Sequence, residues 1–413
     1  MTSGSQVHRG SDSRITTFNA AATKTVGVNA TNFEFTFTRL ERIAFGPGKI
    51  TTLGAELERM GATRALVATG KTLGASPLLE RVTAAMGPHC AGVFAGVGQH
   101  VPASSVRALV AEAERVGADA LVAFGGGSPI DACKVAAASL LNRRDMTLVA
   151  GEIDFDGAGR EIRLVAVPTT LSAGEFTPGG GVTDEATRVK RIVADARLQH
   201  RTVIYDPDLC LNTPDWLWVA TGMRALDHAI EGIYSTHAQP FTDTLGADAI
   251  RLMMAHLPGS VGGGSDRLAE RGWCQIAAWH SYFGGFSARM GVSHALGHKI
   301  GPHWDVPHGV TSCITLPHVM RFMADVAPQR FRAHRRGAGR AVRRSQGGGA
   351  RLSRQGGCLH CRLRRAAFAQ GRRRRTRRDP RHRRGGRRRG GAREDRRAAG
   401  HGRRDQGIAG RRL

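Results

Sequence analysis

From about residue 35 the chain alternates short, wholly apolar runs with longer stretches whose apolar positions recur every three or four residues. RALVAT (64–69), CAGVFAG (90–96), ALVAFGGG (120–127), LVAVPTT (164–170) and TVIYDP (202–207) read as strands. SPLLERVTAAM (76–86) and SSVRALVAEAERVGA (104–118) read as helices, the second with Val106, Leu109, Val110 and Ala113 on one stripe. Strands that are apolar throughout and separated by helices predict a parallel sheet covered on both faces. After about 212 the strand signal stops. PDWLWVATGMRALDHAIEGIYS (214–235), DTLGADAIRLMMAHL (243–257), a stretch around 266–288 and PHVMRFMADVAPQRF (317–331) all carry helical spacing, with a flexible Gly/Ser turn at 258–265. The expected fold is α/β. Residues 1–34 form a polar, flexible extension, 35–211 a parallel-sheet dinucleotide-binding domain, 212–331 an all-helical domain, and 332–413 an Arg/Gly-rich tail.

Charge changes this picture only at its end. The 413 residues carry a formal net charge of +26, which at first suggests a nucleic-acid partner. Residues 1–330 are balanced, with 30 basic and 30 acidic side chains. The last 83 residues hold 30 arginines against Asp379, Glu394, Asp395 and Asp405, so the whole excess sits there. No lysine follows Lys299. Arginine with glycine and alanine is what a G+C-rich gene yields out of frame, so the leading expectation is a frameshift near codon 332. The alternative is an authentic tail that binds nucleic acid through phosphate contacts without sequence preference. Its single aromatic residue, Phe368, leaves almost nothing for base stacking.

No run of about 18 apolar residues crosses a membrane, and the N-terminus lacks the apolar core of a secretory signal. Seven scattered cysteines make no disulfide framework, so the expected setting is the reducing cytoplasm. Cys358 and Cys361 have the spacing of half a zinc site, but no second pair follows.

Two motifs carry chemistry. The first is GGGSPIDACK after the 120–127 strand. Glycines let backbone amides approach a phosphate, and a helix N-terminus supplies free N–H groups and a favourable dipole. Ser128 suits the N-cap, Pro129 the first helical position and Asp131 the third, as in a capping box. This is neither GxGxxG nor an ATPase phosphate loop: Gly70-Lys71-Thr72 follows a strand, but Ala65 stands where that loop requires glycine. The second motif is a run of histidines: His228, His294, His298, His303 and His308. His294 and His298 are four apart and share a helix face. His308 lies beyond an expected turn at Gly301-Pro302. Imidazoles from separate elements can converge on a divalent metal, or can be solvated or core side chains.

Taken in order, GGGSPIDACK, VPTTLSAGEFT, YDPDLCLNTPDWLWVATGMRALDHAIEGIYS and GVSHALGHKIGPHWDVPHGVTSCITLPHVMRF resemble the iron-containing alcohol dehydrogenase superfamily over roughly 35–330. FGPG (45–48) and GVFAGVGQHVPASSV (92–106) look similar to its maleylacetate reductase branch. The resemblance implies hydride transfer between NAD or NADP and a small alcohol or carbonyl compound, at a site between an N-terminal dinucleotide-binding domain and a C-terminal helical one. It implies a homo-oligomer. By position, Gly125, Gly126, Gly127 and Ser128 would hold the cofactor pyrophosphate, with Asp131, Thr169 and Thr170 alongside. His228, His294 and His308 match three ligands of an iron or zinc ion, and His298 a histidine beside the reacting carbon.

Two departures refine the expectation. The family's metal-binding carboxylate position is Arg224, whose fixed charge opposes a dication. Asp227 would point about 100° away on the helix and replaces it poorly. The maleylacetate reductase branch also lacks this aspartate and is thought to work without metal. The expectation is therefore metal-independent reduction of an oxo acid, with His298 and His294 as general acids. Arg224 would supply electrostatic help by pairing with a substrate carboxylate, or would form a surface or interdomain ion pair. An iron-dependent alcohol dehydrogenase is the alternative. Secondly, Gly70, with Lys71 beside it, stands where the resemblance implies that NAD-preferring members carry an aspartate right after the strand at 64–69, so NADPH should be tolerated alongside NADH.

Overall fold

A computed structural model describes residues 33–152 and 159–330. The N-terminal extension up to residue 32 and everything from residue 331 on, including the arginine-rich segment with Cys358 and Cys361, lie outside the described residues.

Nine strands and twelve α-helices are described, besides short 3-10 turns. In chain order they are β1 (Arg42–Phe45), α1 (Leu53–Arg59), β2 (Ala65–Ala68), α2 (Lys71–Gly74), α3 (Pro77–Met86), β3 (Cys90–Phe94), α4 (Ala103–Arg115), β4 (Ala120–Gly125), α5 (Gly127–Asn142), β5 (Gly151–Glu152) and β6 (Arg163–Pro168). Then come β7 (Gly179–Thr183), β8 (Lys190–Ala194), β9 (Thr202–Tyr205), α6 (Pro207–Cys210), α7 (Asp215–Tyr234), α8 (Pro240–His256), α9 (Arg267–Tyr282), α10 (Gly285–Ala288), α11 (Val292–Trp304) and α12 (His308–Val326).

The main sheet has the order β1-β9-β6-β4-β2-β3, and every neighbouring pair is parallel. The pleat explains the uninterrupted apolar runs. Leu66 and Ala68 face one core with α4 and α5, while Ala65 and Val67 face the other with α1 and α3. β1 was not legible as a strand, because its residues are half-buried or exposed and show no apolar run. A second, three-stranded sheet, β5-β8-β7, also escaped the pattern. Its β7 is glycine-rich and pairs antiparallel with β8.

After β9 the described chain is helical. Its apolar faces join the sheet in one cluster that runs from Ala166, Val203 and Tyr205 to Trp218, Leu252, Cys274 and Leu316. The 258–265 turn is anchored rather than loose: Ser260 is buried and accepts from Trp218 Nε1 at 2.9 Å. The stretch around 266–288 divides into α9 and α10. The expected turn at Gly301-Pro302 is absent. α11 continues through Pro302 to Trp304, and the chain turns at Asp305, which has φ 53°. α12 likewise begins at His308 and passes through Pro317. Among the described residues no helix is long and apolar enough to cross a membrane.

Candidate active site

Strand order reverses between β2 and β4, since the chain crosses from β3 on one side of β2 to β4 on the other. In open parallel sheets, ligands bind outside the carboxyl ends of strands at such a switch point. The glycine turn leaves β4 there. Gly125 has φ +140°, a conformation that favours glycine. A Cβ on Gly126 would stand 3.2 Å from Thr170 Oγ1, and one on Gly127 would stand 3.4 Å from Ser172 Oγ. Thr169 and Thr170 reach the turn because Pro168 is the register partner of Gly125, and the Thr169 N–H donates to Gly125 O at 2.8 Å.

The capping box does not form. α5 starts at Gly127 with Gly126 as N-cap and no side-chain cap, which puts Pro129 at the third helical position. Proline is tolerated there because the first-turn amides have no intrahelical partner in any case. Asp131 caps nothing and instead lies 3.5 Å from Lys190 Nζ. The result is an open helix N-terminus flanked by the hydroxyls of Thr69, Thr170 and Ser172, all buried and without a hydrogen-bond partner. Open amides, close backbone and orphaned hydroxyls fit a pyrophosphate. Of these, the sequence reading missed Thr69 and Ser172.

Behind the turn lies a second group that it also missed. Lys134 is fully buried on α5, and its Nζ donates to Gly174 O at 2.5 Å and Gly179 O at 3.0 Å. It thereby pins the loop that carries Ser172. Burial holds Lys134 down at about 8 and raises the Glu175 carboxyl to about 7. The Tyr205 hydroxyl donates to that carboxylate. A lysine in the middle of an apolar helix was the signal available in the sequence.

The helical side supplies the histidines. The donor atoms of His294, His298 and His308 all lie within 4.8 Å of one another. His228 stays outside that set. Its ring is tilted over Tyr282 at 4.4 Å and stands 5.3 Å from the ring of His294. His303 stacks edge-on with Trp304 and takes no part. α7 organises the rest with residues 224, 227 and 231, spaced along one face. Arg224, 3% exposed, donates through Nη1 to Asp227 Oδ2 at 3.2 Å and to Ser312 Oγ at 2.9 Å. Its Nη2 meets His294 Nδ1. Asp227 also accepts from Ser312 Oγ at 2.6 Å and Ser293 Oγ at 2.9 Å. Glu231 accepts from the amides of Gly291, Ser293 and His294 at 3.0, 2.7 and 3.1 Å, so it caps α11 from a neighbouring helix.

This geometry corrects one expectation. Arg224 forms a buried ion pair with Asp227, not a surface one, and both its terminal nitrogens are engaged within the protein. Burial also disfavours the charged form of the imidazoles. Burial, reinforced by the charge of Arg224, holds His228, His294 and His308 well below the ordinary imidazole value. His298 is drawn down to about 3 by burial, then by Lys190 and Arg224.

The contact with Arg224 also fixes a tautomer. A guanidinium only donates, so His294 Nδ1 accepts and the ring proton sits on Nε2. His294 is left with no lone pair for a metal, and a fixed cation stands beside it. The family's metal does not fit this donor set.

Family models for iron-containing alcohol dehydrogenase and for its C-terminal part match residues 41–207 and 218–346. The second match continues past the break expected near residue 332. The chain is 34% identical to the maleylacetate reductase of Burkholderia cepacia over 304 residues, 73% of this chain and 78% of that one. It is 34% identical to the lactaldehyde reductase of Escherichia coli over 70% of this chain and 75% of that one. The crystal structure of maleylacetate reductase from a Rhizobium strain superposes with a TM-score of 0.61 at 27% identity, covering 73% of this chain and 78% of that one. The chain belongs to the iron-containing alcohol dehydrogenase family, and it is an oxidoreductase.

Proposed function

We propose that the protein reduces a small oxo acid of the maleylacetate kind with NADH or NADPH, without a metal ion. The observation that carries this reading is Arg224, a buried guanidinium engaging His294 where a metal would need that nitrogen. Residues 35–211 would form the cofactor domain and 212–331 the substrate domain of a homo-oligomer. The open amides of α5, with Ser128, Thr170 and Ser172, would hold the cofactor pyrophosphate, and Asp131 would stand by through Lys190. A bound nicotinamide supplies the hydride.

The protein's task is then to stabilise the negative charge that the substrate oxygen gains as its carbon accepts that hydride. The Nε2–H of His294, polarised by Arg224 at its other nitrogen, is such a donor, and it is preorganised by Glu231 and Asp227. His298, with its ring 4.7 Å from that of His294, is the next donor in line. It passes a proton from water to the product. Hydride and proton together complete a two-electron reduction.

The convergence of His294, His298 and His308 favours a second reading, a metal-dependent alcohol dehydrogenase. One experiment separates the two. The purified chain is given NADH with maleylacetate, or with lactaldehyde, each with and without a chelator. Chelator-resistant reduction of maleylacetate is the expected result. Activity only on the alcohol–aldehyde pair, lost on chelation and restored by iron or zinc, overturns the proposal.

A further inference from the structure

Lys134 is fully buried between Cys133 and Val135 on α5, two turns beyond the glycine turn. An ammonium is costly to bury unless its protons find acceptors. Two of them cross to the segment between Ser172 and β7, reaching Gly174 O at 2.5 Å and Gly179 O at 3.0 Å.

That segment is strained. Ala173 is buried in the left-handed region at φ 56°, and the single 3-10 turn that follows it, Gly174–Phe176, has no side-chain cap. Such a conformation persists where the surroundings over-determine it. Here Gln199 Nε2 donates to Glu175 O, the Tyr205 hydroxyl donates to the Glu175 carboxylate, and the Gly179 amide donates to Thr177 Oγ1 at 3.1 Å. The segment rests on α5 itself. A Cβ on Gly174 would stand 3.5 Å from Ile130 Cγ2 and 3.8 Å from Asp131 Oδ1, and one on Gly180 would stand 2.9 Å from Lys134 Cβ. The glycines that hid β7 as a strand are what let it lie on the helix.

This packing places one hydroxyl. Ser172, just before Ala173, keeps its Oγ buried and without a partner, beside Gly127 at the start of α5. The helix thus offers its amides at one end and, through Lys134, fixes a hydroxyl at the same spot.

We propose that Lys134 is a positioning residue for the cofactor: it holds the Ser172 hydroxyl in line with the open amides of α5, so that both meet one phosphate. This rests on the pyrophosphate reading above.

The test is NADH binding by fluorescence titration, with no substrate present. Lys134→Met keeps the bulk and removes the donors, and Ser172→Ala removes the hydroxyl. Each should weaken NADH about tenfold. The double variant should also lose about tenfold, and not about a hundredfold, because both changes remove one and the same contact. Losses that multiply, or parent-like binding by Lys134→Met, would overturn the proposal.

A second readout needs no change at residue 134. Burial holds the Lys134 ammonium down at about 8, so it is charged below that pH and neutral above it. Asp131, Glu175, Lys190 and Cys133 bear on it, and it bears in turn on His200. A charged donor makes the stronger bond, so the parent should bind NADH about threefold more weakly at pH 9 than at pH 7. Ser172→Ala should show no such step, and an equal step in both chains counts against the proposal. If the parent binds NADH and Ser172→Ala binds it equally well, the proposal falls while the cofactor site stands on its amides. If the parent binds no NADH at either pH, the cofactor reading falls and takes the proposal with it.

Discussion

The glycine-turn side and the histidine side of the site are built by opposite means. On the first, backbone and hydroxyl groups are left unsatisfied: open amides at α5 and partnerless oxygens on Thr69, Thr170 and Ser172. On the second, the charged groups of α7 are matched internally. Arg224 meets Asp227, and Glu231 meets three amides. A ligand is needed to complete the first side. The second needs no ligand to neutralise its charges, although Asp227 Oδ1 and His228 Nδ1 are buried without a partner, and it offers the substrate donors of fixed direction. Preorganisation of this kind lowers the cost of stabilising charge at the moment of reaction.

That contrast can be broken in four places. The largest effect should come from Arg224→Ala, which leaves Asp227 buried without its cation. A loss of about 3–5 kcal/mol in urea denaturation is expected, largely recovered by adding Asp227→Asn. A loss below about 1 kcal/mol would mean that the histidine side is not held by this pair.

Glu175 tests the other side. Its carboxyl is raised from 4.5 to about 7 in the folded chain. Between those values the folded state keeps a proton that the unfolded state has lost, so stability falls as pH rises through that window. Glu175→Gln has nothing to titrate. Relative to it, the parent should lose about 3 kcal/mol between roughly pH 4 and pH 8. Parallel pH profiles for the two proteins would contradict the burial argument.

His298→Ala should then lower kcat about a hundredfold with the NADH dissociation constant unchanged, because the residue serves the reacting oxygen and not the cofactor. Equal damage to both would reduce His298 to a structural role. The smallest effect is expected at Gly70, the N-cap of α2 after β2. With no carboxylate there to repel a 2′-phosphate, NADPH and NADH should compete within about a hundredfold, and Gly70→Asp should favour NADH by about tenfold more.

How much of this was readable in the sequence also divides along the two sides. The glycine turn was legible because its signal is local: an apolar strand, three glycines and a helix start. Only the cap was misplaced, since Gly126, extended at φ −87°, lets the helix begin before Ser128. The histidines were legible as residues but not as an arrangement. Which three converge depends on how α11 and α12 cross α7, and Pro302, read as a turn, and Pro317, read as the start of a helix, both sit inside continuous helices. Asp227 was read only as a poor metal carboxylate, and Glu231 gave no signal. The partners they hold on α11 and α12 lie 60 to 85 positions away along the chain. β1 and the small second sheet were missed for a related reason, because edge and glycine-rich strands lack the apolar run by which buried strands are recognised.

Glu231 sets a polarity for the whole site. It lies at the start of α11, and α5 and α11 each begin with an end that would attract an anion. At α11 the carboxylate of Glu231 already takes those amides, so that end is stoppered from within. Of the two, the α5 start has no side-chain cap. In the proposed reading a long, two-headed ligand therefore has one way round: its charged middle is drawn to the sheet, and its reactive end is left to face the imidazoles.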